Sequence, residues 1–332
     1  MQKHKVLKRI LLAALLLLLA LAIALGAAVL RAKALLNRAL DGHRIRPQAE
    51  QQMTEFSLLA EMRMVQASTR VGGFLSVVSP EQVSLRTDRG TLFAQLYAPV
   101  AGDGDGAPWA LVLHGGLGTS GAQMQDVACE LSLAGYNVLL AELYAHGQSD
   151  GKVSTLGIGD AQDVLAWADW IVARDADASI ALVGQDEGAL AILLAASGMP
   201  GKGLSGAVKA AALDSVYTDV RARCRAYLSE IGEDNAIDAL LFDAALALTG
   251  NDLTSEDVLE RAAMCELPLL LIHGTFDSEV PAWQAEDVAH AAKDAQLLPV
   301  EGAAHGMARY VEPDAYCGAL IGFLNRHLRG EE

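Results

Sequence analysis

The stretch that decides the fold runs from Leu182 to Gly188 and reads LVGQDEG. In it, Gly184 and Gly188 flank Asp186, between an apolar run typical of a strand and a segment of helical periodicity. Glycines at such positions relieve the crowding of a sharp turn from strand to helix. The pattern therefore predicts a strained turn that lifts the Asp186 side chain out at the start of a helix.

Apolar runs of strand length alternate with helical segments on both sides of this turn, and a hairpin precedes them. This alternation is typical of a mostly parallel sheet with helices on both faces, in which functional residues collect at the carboxyl ends of the strands. The predicted strands are Val83–Thr87, Thr91–Tyr97, Trp109–Leu113, Asn137–Glu142, Ser179–Val183, Val208–Leu213, Leu269–Ile272 and Gln296–Val300, and the predicted helices are 121–134, 159–174, 187–198, 281–294 and 314–328.

Further polar and glycine-rich motifs follow the other predicted strands. The first strand of the parallel part ends in HGGLG, residues 114–118, where glycines allow backbone N–H groups to point into a cavity and stabilise an oxyanion. Two later strands end in HGTFD, which closes on Asp277, and in GAAHG, which contains His305. These side chains are expected to meet at one edge of the sheet.

With these motifs the sequence resembles the α/β-hydrolase superfamily over residues 83–328, and in particular its serine-aminopeptidase and acylglycerol-lipase-like branch. The resemblance implies an α/β-hydrolase fold with a small helical lid, with Asp277 as the triad acid and His305 as the base. It also implies an oxyanion hole formed by the backbone N–H groups of Gly116 and Glu187. The matching stretches, in chain order, are LVLHGGLG, ELYAHGQSDG, LVGQDEGALAILLAASG, LDSVYTD, PLLLIHGTFDSEVP and VEGAAHG.

Position 186 departs from this family, because Asp186 stands where the nucleophilic serine is expected. A serine gives its proton to the histidine before it attacks a carbonyl, whereas a carboxylate is already ionised. Attack of Asp186 on an ester carbonyl would give a high-energy mixed anhydride. Ordinary esterase or peptidase chemistry is therefore not expected.

An elbow aspartate resembles the haloalkane dehalogenases and epoxide hydrolases of the same fold, in which the carboxylate attacks an sp³ carbon. By that resemblance Asp186, His305 and Asp277 form the catalytic set. Such chemistry needs a group that stabilises the leaving anion, and the residue after the aspartate is Glu187, which would repel a halide. Tyr217 and Tyr227 are candidates for polarising an epoxide.

The alternative is a non-catalytic member of the fold that binds a ligand or acts as a membrane-tethered scaffold. Carboxylates at Asp186, Glu187 and Asp277 would favour a protonated His305, which is a poor base. Asp214 is a second candidate for the acid, although the spacing to His305 favours Asp277. His146 and His273 are interpreted as mainly structural residues, whereas His114 either orients its loop or contacts the substrate.

The composition restricts the partners of the chain. All 41 acidic residues lie after position 40, and six of the 25 basic residues lie before position 34, so the remainder has a net charge of −22. This charge and the lack of a basic stripe exclude nucleic acid and favour an uncharged or cationic small-molecule substrate or ligand. The four cysteines are widely spaced and match no metal-ligand pattern, so neither a metal nor a cofactor is expected.

An uncharged run of 21 residues from Ile10 to Leu30 reads ILLAALLLLLALAIALGAAVL. At about 1.5 Å per residue it is long enough to cross a hydrocarbon core of about 30 Å, so residues 10–30 are predicted to span a lipid bilayer. A cleaved signal peptide is the alternative, although the apolar region of such peptides is ordinarily about 7–15 residues long. Basic residues flank both ends of the run, and we expect a single-pass cell-membrane protein with an extracytoplasmic hydrolase domain.

Three segments are expected along the chain. A basic segment and transmembrane helix occupy residues 1–33, and a stalk or helical linker without site residues occupies 34–82. The α/β-hydrolase domain follows at 83–330, with a lid inserted at about 217–264. The alternative for the lid is a helical decoration that does not contact the substrate.

Overall fold

A computed structural model describes residues 2–46, 55–100, 106–198, 206–233, 242 and 257–330. The chain divides into two compact units, one of residues 1–39 with 225–252 and the other of residues 40–224 with 253–332. The sheet and the candidate site belong to the second unit.

An eight-stranded sheet forms the centre of the second unit, in the order β1-β2-β4-β3-β5-β6-β7-β8. The hairpin β1–β2 pairs antiparallel to β4, and the remaining strands run parallel. This confirms the predicted mostly parallel sheet. The strands are β1 (Glu81–Thr87), β2 (Gly90–Tyr97), β3 (Trp109–Leu113), β4 (Asn137–Ala141), β5 (Ile180–Gln185), β6 (Val208–Asp214), β7 (Leu269–Gly274) and β8 (Ala295–Val300).

The helices described in the two units include the predicted ones, with boundaries shifted by a few residues. A short 3-10 turn, Gly121–Met124, precedes α3. The helices are α1 (Gln2–Ala39), α2 (Glu55–Leu75), α3 (Gln125–Leu133), α4 (Ala161–Arg174), α5 (Glu187–Ala196), α6 (Val220–Glu230), α7 (Val258–Met264), α8 (Trp283–Ala291), α9 (Ala308–Val311) and α10 (Pro313–Leu328).

Both faces of the central strands are covered, as expected of a parallel sheet. Every residue of β3 and of β5 is buried. Ala110 and Val112 on one face of β3 belong to a core cluster that includes Val127 of α3 and Phe323 of α10. Leu111, which points to the other face, is also fully buried. The rigid sheet fixes where its carboxyl-end loops meet.

The lid predicted at 217–264 is described only in part. Helices α6 and α7 lie in this segment, whereas residues 234–241 and 243–256 fall outside the described residues.

The N-terminal helix α1 is longer than the predicted span of residues 10–30. Within it, Leu11–Ala39 has a mean hydropathy of 2.8 in its most apolar window. By length and composition this helix is able to cross a membrane.

Candidate functional site

The turn at Asp186 joins β5 directly to α5. Asp186 has φ +50° and ψ −112°, a conformation that costs a non-glycine residue about 1–3 kcal/mol. A Cβ at Gly184 would lie 2.7 Å from the Gly188 carbonyl, and one at Gly188 would lie 2.5 Å from a carbonyl oxygen of the loop after β3. Only glycines fit beside the turn, which places Asp186 at the carboxyl edge of the sheet.

Three of the predicted site residues come together at this edge. His305 Nε2 lies 3.5 Å from Asp186 Oδ1, and His305 Nδ1 lies 2.7 Å from Asp277 Oδ2. Asp277 Oδ1 accepts hydrogen bonds from the backbone N–H groups of Glu279 and Val280 at 3.0 and 2.8 Å. Asp277 is therefore fixed by its own loop, and it holds the His305 ring facing Asp186.

Arg223 lies at the centre of this cluster, although no sequence pattern indicated it. Its side chain, on α6, is 2% exposed. Nη2 of Arg223 lies 2.8 Å from Asp186 Oδ2 and 3.3 Å from His305 Nε2, and Nη1 donates to Glu279 Oε2 at 2.9 Å. One oxygen of Asp186 is therefore ion-paired with Arg223 while the other faces His305.

Arg46 extends the cluster from the segment before α2. Its Nη2 donates to Glu279 Oε2 at 2.7 Å, so Glu279 joins Arg46 to Arg223. Residues 40–46 are bound to the strand-end loops, for example through the N–H of Gly118, which donates to the Gly42 carbonyl at 3.0 Å. Arg46 therefore links the segment 34–82, which was expected to hold no site residue, to the cluster at the elbow.

The two residues predicted to form an oxyanion hole have different surroundings. Gly116 lies beside the elbow, since a Cβ there would be 3.3 Å from Asp186 Oδ2 and 3.8 Å from Arg46 Nη1. The Glu187 side chain is buried, and its Oε2 accepts a hydrogen bond from Ser154 Oγ at 2.8 Å. The role of the two backbone N–H groups stays a prediction.

Solved structures of hydrolases resemble this chain over most of its length. The esterase Pf2001 of Pyrococcus furiosus is 19% identical, with a TM-score of 0.60 over 86% of this chain and 100% of that chain. Est1E of Butyrivibrio proteoclasticus is 20% identical, with a TM-score of 0.56 over 73% of this chain and 97% of that chain. A hydrolase of Pseudomonas aeruginosa is 18% identical, with a TM-score of 0.53 over 74% of this chain and 98% of that chain.

The chain has the α/β-hydrolase fold. At these identities the likeness establishes the fold alone, so the activity is argued from the site. The sequence matches no protein-family model and no curated protein.

Within this fold, the charges at the elbow stabilise one another. Burial alone would raise the pKa of Asp186, but Arg223 and His305 hold it well below its usual range. Burial alone would lower the pKa of His305, but Asp186 and Asp277 raise it to about 10. Burial is likewise outweighed at Glu279, whose pKa is lowered by His305, Arg223 and Arg46. At neutral pH the elbow therefore holds carboxylates facing an imidazolium and two guanidinium groups.

Glu187 differs from its neighbour Asp186 in its state of protonation. Burial, helped by the charge of Asp186, raises the pKa of Glu187 to about 8, so its carboxyl group is mostly protonated at neutral pH. His146 Nε2 lies 3.8 Å from Glu187 Oε2 on the side of Ser154. The third carboxylate acting on His305 is therefore Glu279, not Glu187 as the sequence suggested.

The remaining candidate residues have other hydrogen-bond partners. Asp214 Oδ2 accepts from Gln185 Nε2 at 2.9 Å, so Asp277 is the carboxylate paired with His305. The Tyr217 hydroxyl donates to the Leu156 carbonyl at 2.8 Å, and the Tyr217 ring centroid lies 5.9 Å from the Arg223 guanidinium. The epoxide role considered for Tyr217 and Tyr227 stays a prediction.

The three other strand-end histidines are buried, and each is within hydrogen-bond distance of a backbone group of a strand-end loop. His114 Nε2 accepts from the Leu143 N–H at 3.1 Å, and burial holds the pKa of His114 well below its usual value. His146 Nδ1 lies 2.9 Å from the Tyr144 carbonyl oxygen, and His273 Nε2 lies 2.8 Å from the Val280 carbonyl oxygen. These contacts agree with a structural role.

A cavity of about 450 Å³ opens next to His305. Gly306 and Met307 line it together with Met64 and Val71 of α2. His305 is itself one of the residues that line this cavity.

Proposed function

We propose that this chain is a membrane-anchored hydrolase that acts on a small molecule through a covalent intermediate on Asp186. In this proposal His305 is the base and Asp277 orients it. The observation that carries the proposal is the placement of His305 Nε2 3.5 Å from Asp186 Oδ1, with His305 Nδ1 held by Asp277 at 2.7 Å.

The reaction has two steps. Asp186 Oδ1 attacks an sp³ carbon of the substrate, so an ester C–O bond forms while the bond to the leaving oxygen or halide breaks with its electron pair. His305 then takes a proton from water, and the hydroxide attacks the carboxyl carbon of Asp186 and releases the alcohol. Asp186 is regenerated with one oxygen from water. An acyl substrate would instead give a mixed anhydride, which this chemistry avoids.

The charge state of His305 changes along this reaction. In the resting site its raised pKa, about 10, makes it an imidazolium rather than a base. Ester formation removes the charge of Asp186, which is the leading cause that raises this pKa. The imidazolium can release its proton to the leaving oxygen, and the neutral ring then serves as the base for water.

Arg223 is the candidate group for stabilising the leaving anion. Its Nη2 lies 3.3 Å from His305 Nε2 and 2.8 Å from Asp186 Oδ2, so the guanidinium is beside Asp186 when the negative charge passes from this carboxylate to the leaving group in the first step. The side chain of Glu187, which the sequence suggested would repel an anion, is bonded to Ser154 and has a pKa of about 8. Glu187 therefore repels a leaving anion less than the sequence suggested, because its carboxyl group is mostly protonated at neutral pH.

A non-catalytic binding or scaffolding protein is the second candidate. The Arg223 contact favours it, because an ion pair at 2.8 Å between two buried groups makes Asp186 a weaker nucleophile. In that case the fold is kept and Asp186 has a structural task.

Single-turnover labelling separates the two candidates. The full chain is incubated with an epoxide panel in ¹⁸O water, and the peptide containing Asp186 is analysed by mass spectrometry. We expect ¹⁸O in Asp186 and, in His305→Gln, an accumulated adduct heavier by the mass of the substrate. Turnover without label or adduct at Asp186 would contradict the covalent role.

Two variants complete this experiment. Asp186→Asn is expected to abolish turnover, because the amide lacks the ionised oxygen. If Asp186→Ser gains esterase activity that the parent lacks, while the parent turns over no epoxide, the non-catalytic candidate is favoured.

Residues 10–30 are proposed to anchor the chain in the cell membrane, with the α/β-hydrolase domain outside the cytoplasm. The apolar helix Leu11–Ala39 supports the anchor. Retention of the full chain in alkali-washed membranes tests it, and its release as a shortened soluble protein would support a cleaved signal peptide. Digestion of the domain by protease added to intact cells tests the side.

A further inference from the structure

The first half of α2 presents an apolar surface to solvent. Leu58, Met62 and Val65 recur at the spacing that aligns side chains along one side of a helix. They are 46%, 63% and 65% exposed, and the adjacent Leu59 is 36% exposed. These four residues are termed the α2 stripe. Contiguous exposed apolar residues of this kind mark a surface that contacts another apolar phase.

The other sides of α2 have evident tasks within the second unit. Ala60 and Ala67 are buried against the domain. Arg63 donates to the Val311 carbonyl, and Met64 lines the cavity beside His305. Among the residues that the structure describes, packing inside the domain explains the inner sides of α2 and leaves the α2 stripe exposed.

We propose that the α2 stripe docks on the surface of a lipid bilayer, with its apolar side chains inserted at the boundary between headgroups and acyl chains. The inference rests on the membrane anchor of the proposed function and not on the hydrolytic reaction. The apolar helix ends at Ala39 and α2 begins at Glu55, so 15 residues separate them. At about 3.5 Å per residue, this length of chain spans at most about 56 Å when fully extended.

That tether makes the bilayer the apolar surface that the α2 stripe meets at the highest effective concentration. Helix α2 carries two acidic residues, Glu55 and Glu61, and two basic residues, Arg63 and Arg70. It has no net charge with which to attract anionic lipids, and the domain as a whole is acidic. The docking is therefore driven by burial of apolar area, and it requires neither anionic lipid nor low salt.

Quenching of site-specific labels by the bilayer tests this contact. The full chain is reconstituted in phosphatidylcholine vesicles that carry a quencher on the acyl chain, in a Cys317→Ser background because the other three cysteines are buried. A fluorophore is attached at one introduced cysteine at a time. The sites are Met62→Cys and Val65→Cys in the α2 stripe, Leu18→Cys in the apolar helix, and Ser84→Cys on the exposed edge strand β1 as the control.

We expect quenching at positions 62 and 65 to exceed that at position 84 about threefold, and to be unchanged by anionic lipid or by added salt. If position 18 is quenched while quenching at positions 62 and 65 only equals that at position 84, the docking is overturned and the anchor is left intact. Quenching at 62 and 65 without quenching at 18 would support the docking and remove the anchor.

Two further outcomes would also overturn the docking. In the first, the label at position 62 quenches itself more strongly as the protein-to-lipid ratio rises and does not respond to the lipid quencher. That result would mean that the α2 stripe contacts a second copy of the chain. In the second, quenching that disappears in high salt would mean that charge, rather than apolar burial, holds the contact.

A second variant tests the α2 stripe itself. Leu58→Lys is expected to reduce the quenching of a label at position 65 while leaving the quenching at position 18 unchanged.

Discussion

Two adjacent carboxyl groups at the elbow lie in different surroundings. Asp186 contacts the guanidinium of Arg223 and faces His305, and its pKa is held well below the usual range. Glu187 contacts the neutral hydroxyl of Ser154, and burial raises its pKa to about 8. Both groups are buried, so burial alone does not decide the charge. The comparison shows that a cation within hydrogen-bond distance keeps a buried carboxylate ionised, whereas a neutral donor does not.

The largest expected effect on stability comes from removing Arg223, the cation that pairs with Asp186. Arg223→Met leaves the buried Asp186 carboxylate without its guanidinium partner, whereas the partly exposed Glu279 keeps Arg46, and we expect a loss of about 3–5 kcal/mol in the free energy of unfolding. Urea denaturation of the full chain in detergent measures it.

The matched control is Arg174→Met. Arg174 pairs with Glu81 at 3.1 Å, but both side chains are about half exposed, at 45% and 54%, and we expect a change below about 1 kcal/mol. If Arg223→Met and Arg174→Met lower the free energy of unfolding by the same amount, the ion pair of Asp186 with Arg223 is not the buried pair described above.

The next effect concerns the Glu187 side and has the opposite sign. A carboxyl group whose pKa rises on folding stabilises the fold at low pH, and this stabilisation is lost as the pH rises from about 4.5 in the unfolded chain to about 8 in the folded chain. Glu187→Gln keeps the shape and does not ionise. We therefore expect it to stabilise the chain by about 2–4 kcal/mol at pH 8 and by little at pH 4.5.

Denaturation curves of both chains across this pH range measure the difference. A stability gain that does not depend on pH would mean that Glu187 is not protonated in the folded chain.

The smallest effect is expected at the outer end of the ionic cluster. Arg46→Gln removes a pair in which both side chains are about one quarter exposed, 22% and 25%, and Glu279 keeps its contact with Arg223. We expect a loss of about 1 kcal/mol, which Lys293→Gln, in an exposed pair with Glu266, should not reproduce. A loss in the free energy of unfolding as large as that of Arg223→Met would mean that Arg46 stabilises the charges around Asp186 as strongly as Arg223 does.

The sequence predicted the strands, the turn and the meeting of Asp186, His305 and Asp277, because each of these residues follows a strand in a motif of small residues. Their catalytic roles stay predictions. Arg223 escaped detection because it lies on a helix in the lid segment, where no periodicity distinguishes a buried arginine from a surface one.

The linker residue Arg46 escaped for a related reason. Its approach to the elbow depends on how residues 40–46 pair with the strand-end loops, which no local pattern encodes. Glu279 offered the one usable signal, since it stands two residues after Asp277 in the same strand-end loop. Tertiary placement of charged side chains was therefore the part that the sequence did not reveal.

Titration of the His305 ring by NMR tests most directly whether the elbow holds an ionised Asp186 facing an imidazolium. With isotope-labelled histidine, and His305→Gln to assign the signal, we predict a pKa of about 10 in the parent chain. It should fall in Asp186→Asn and stay in place in Glu187→Gln. A His305 that titrates near pH 6.5 in all three chains would contradict the charge arrangement on which the proposed reaction depends.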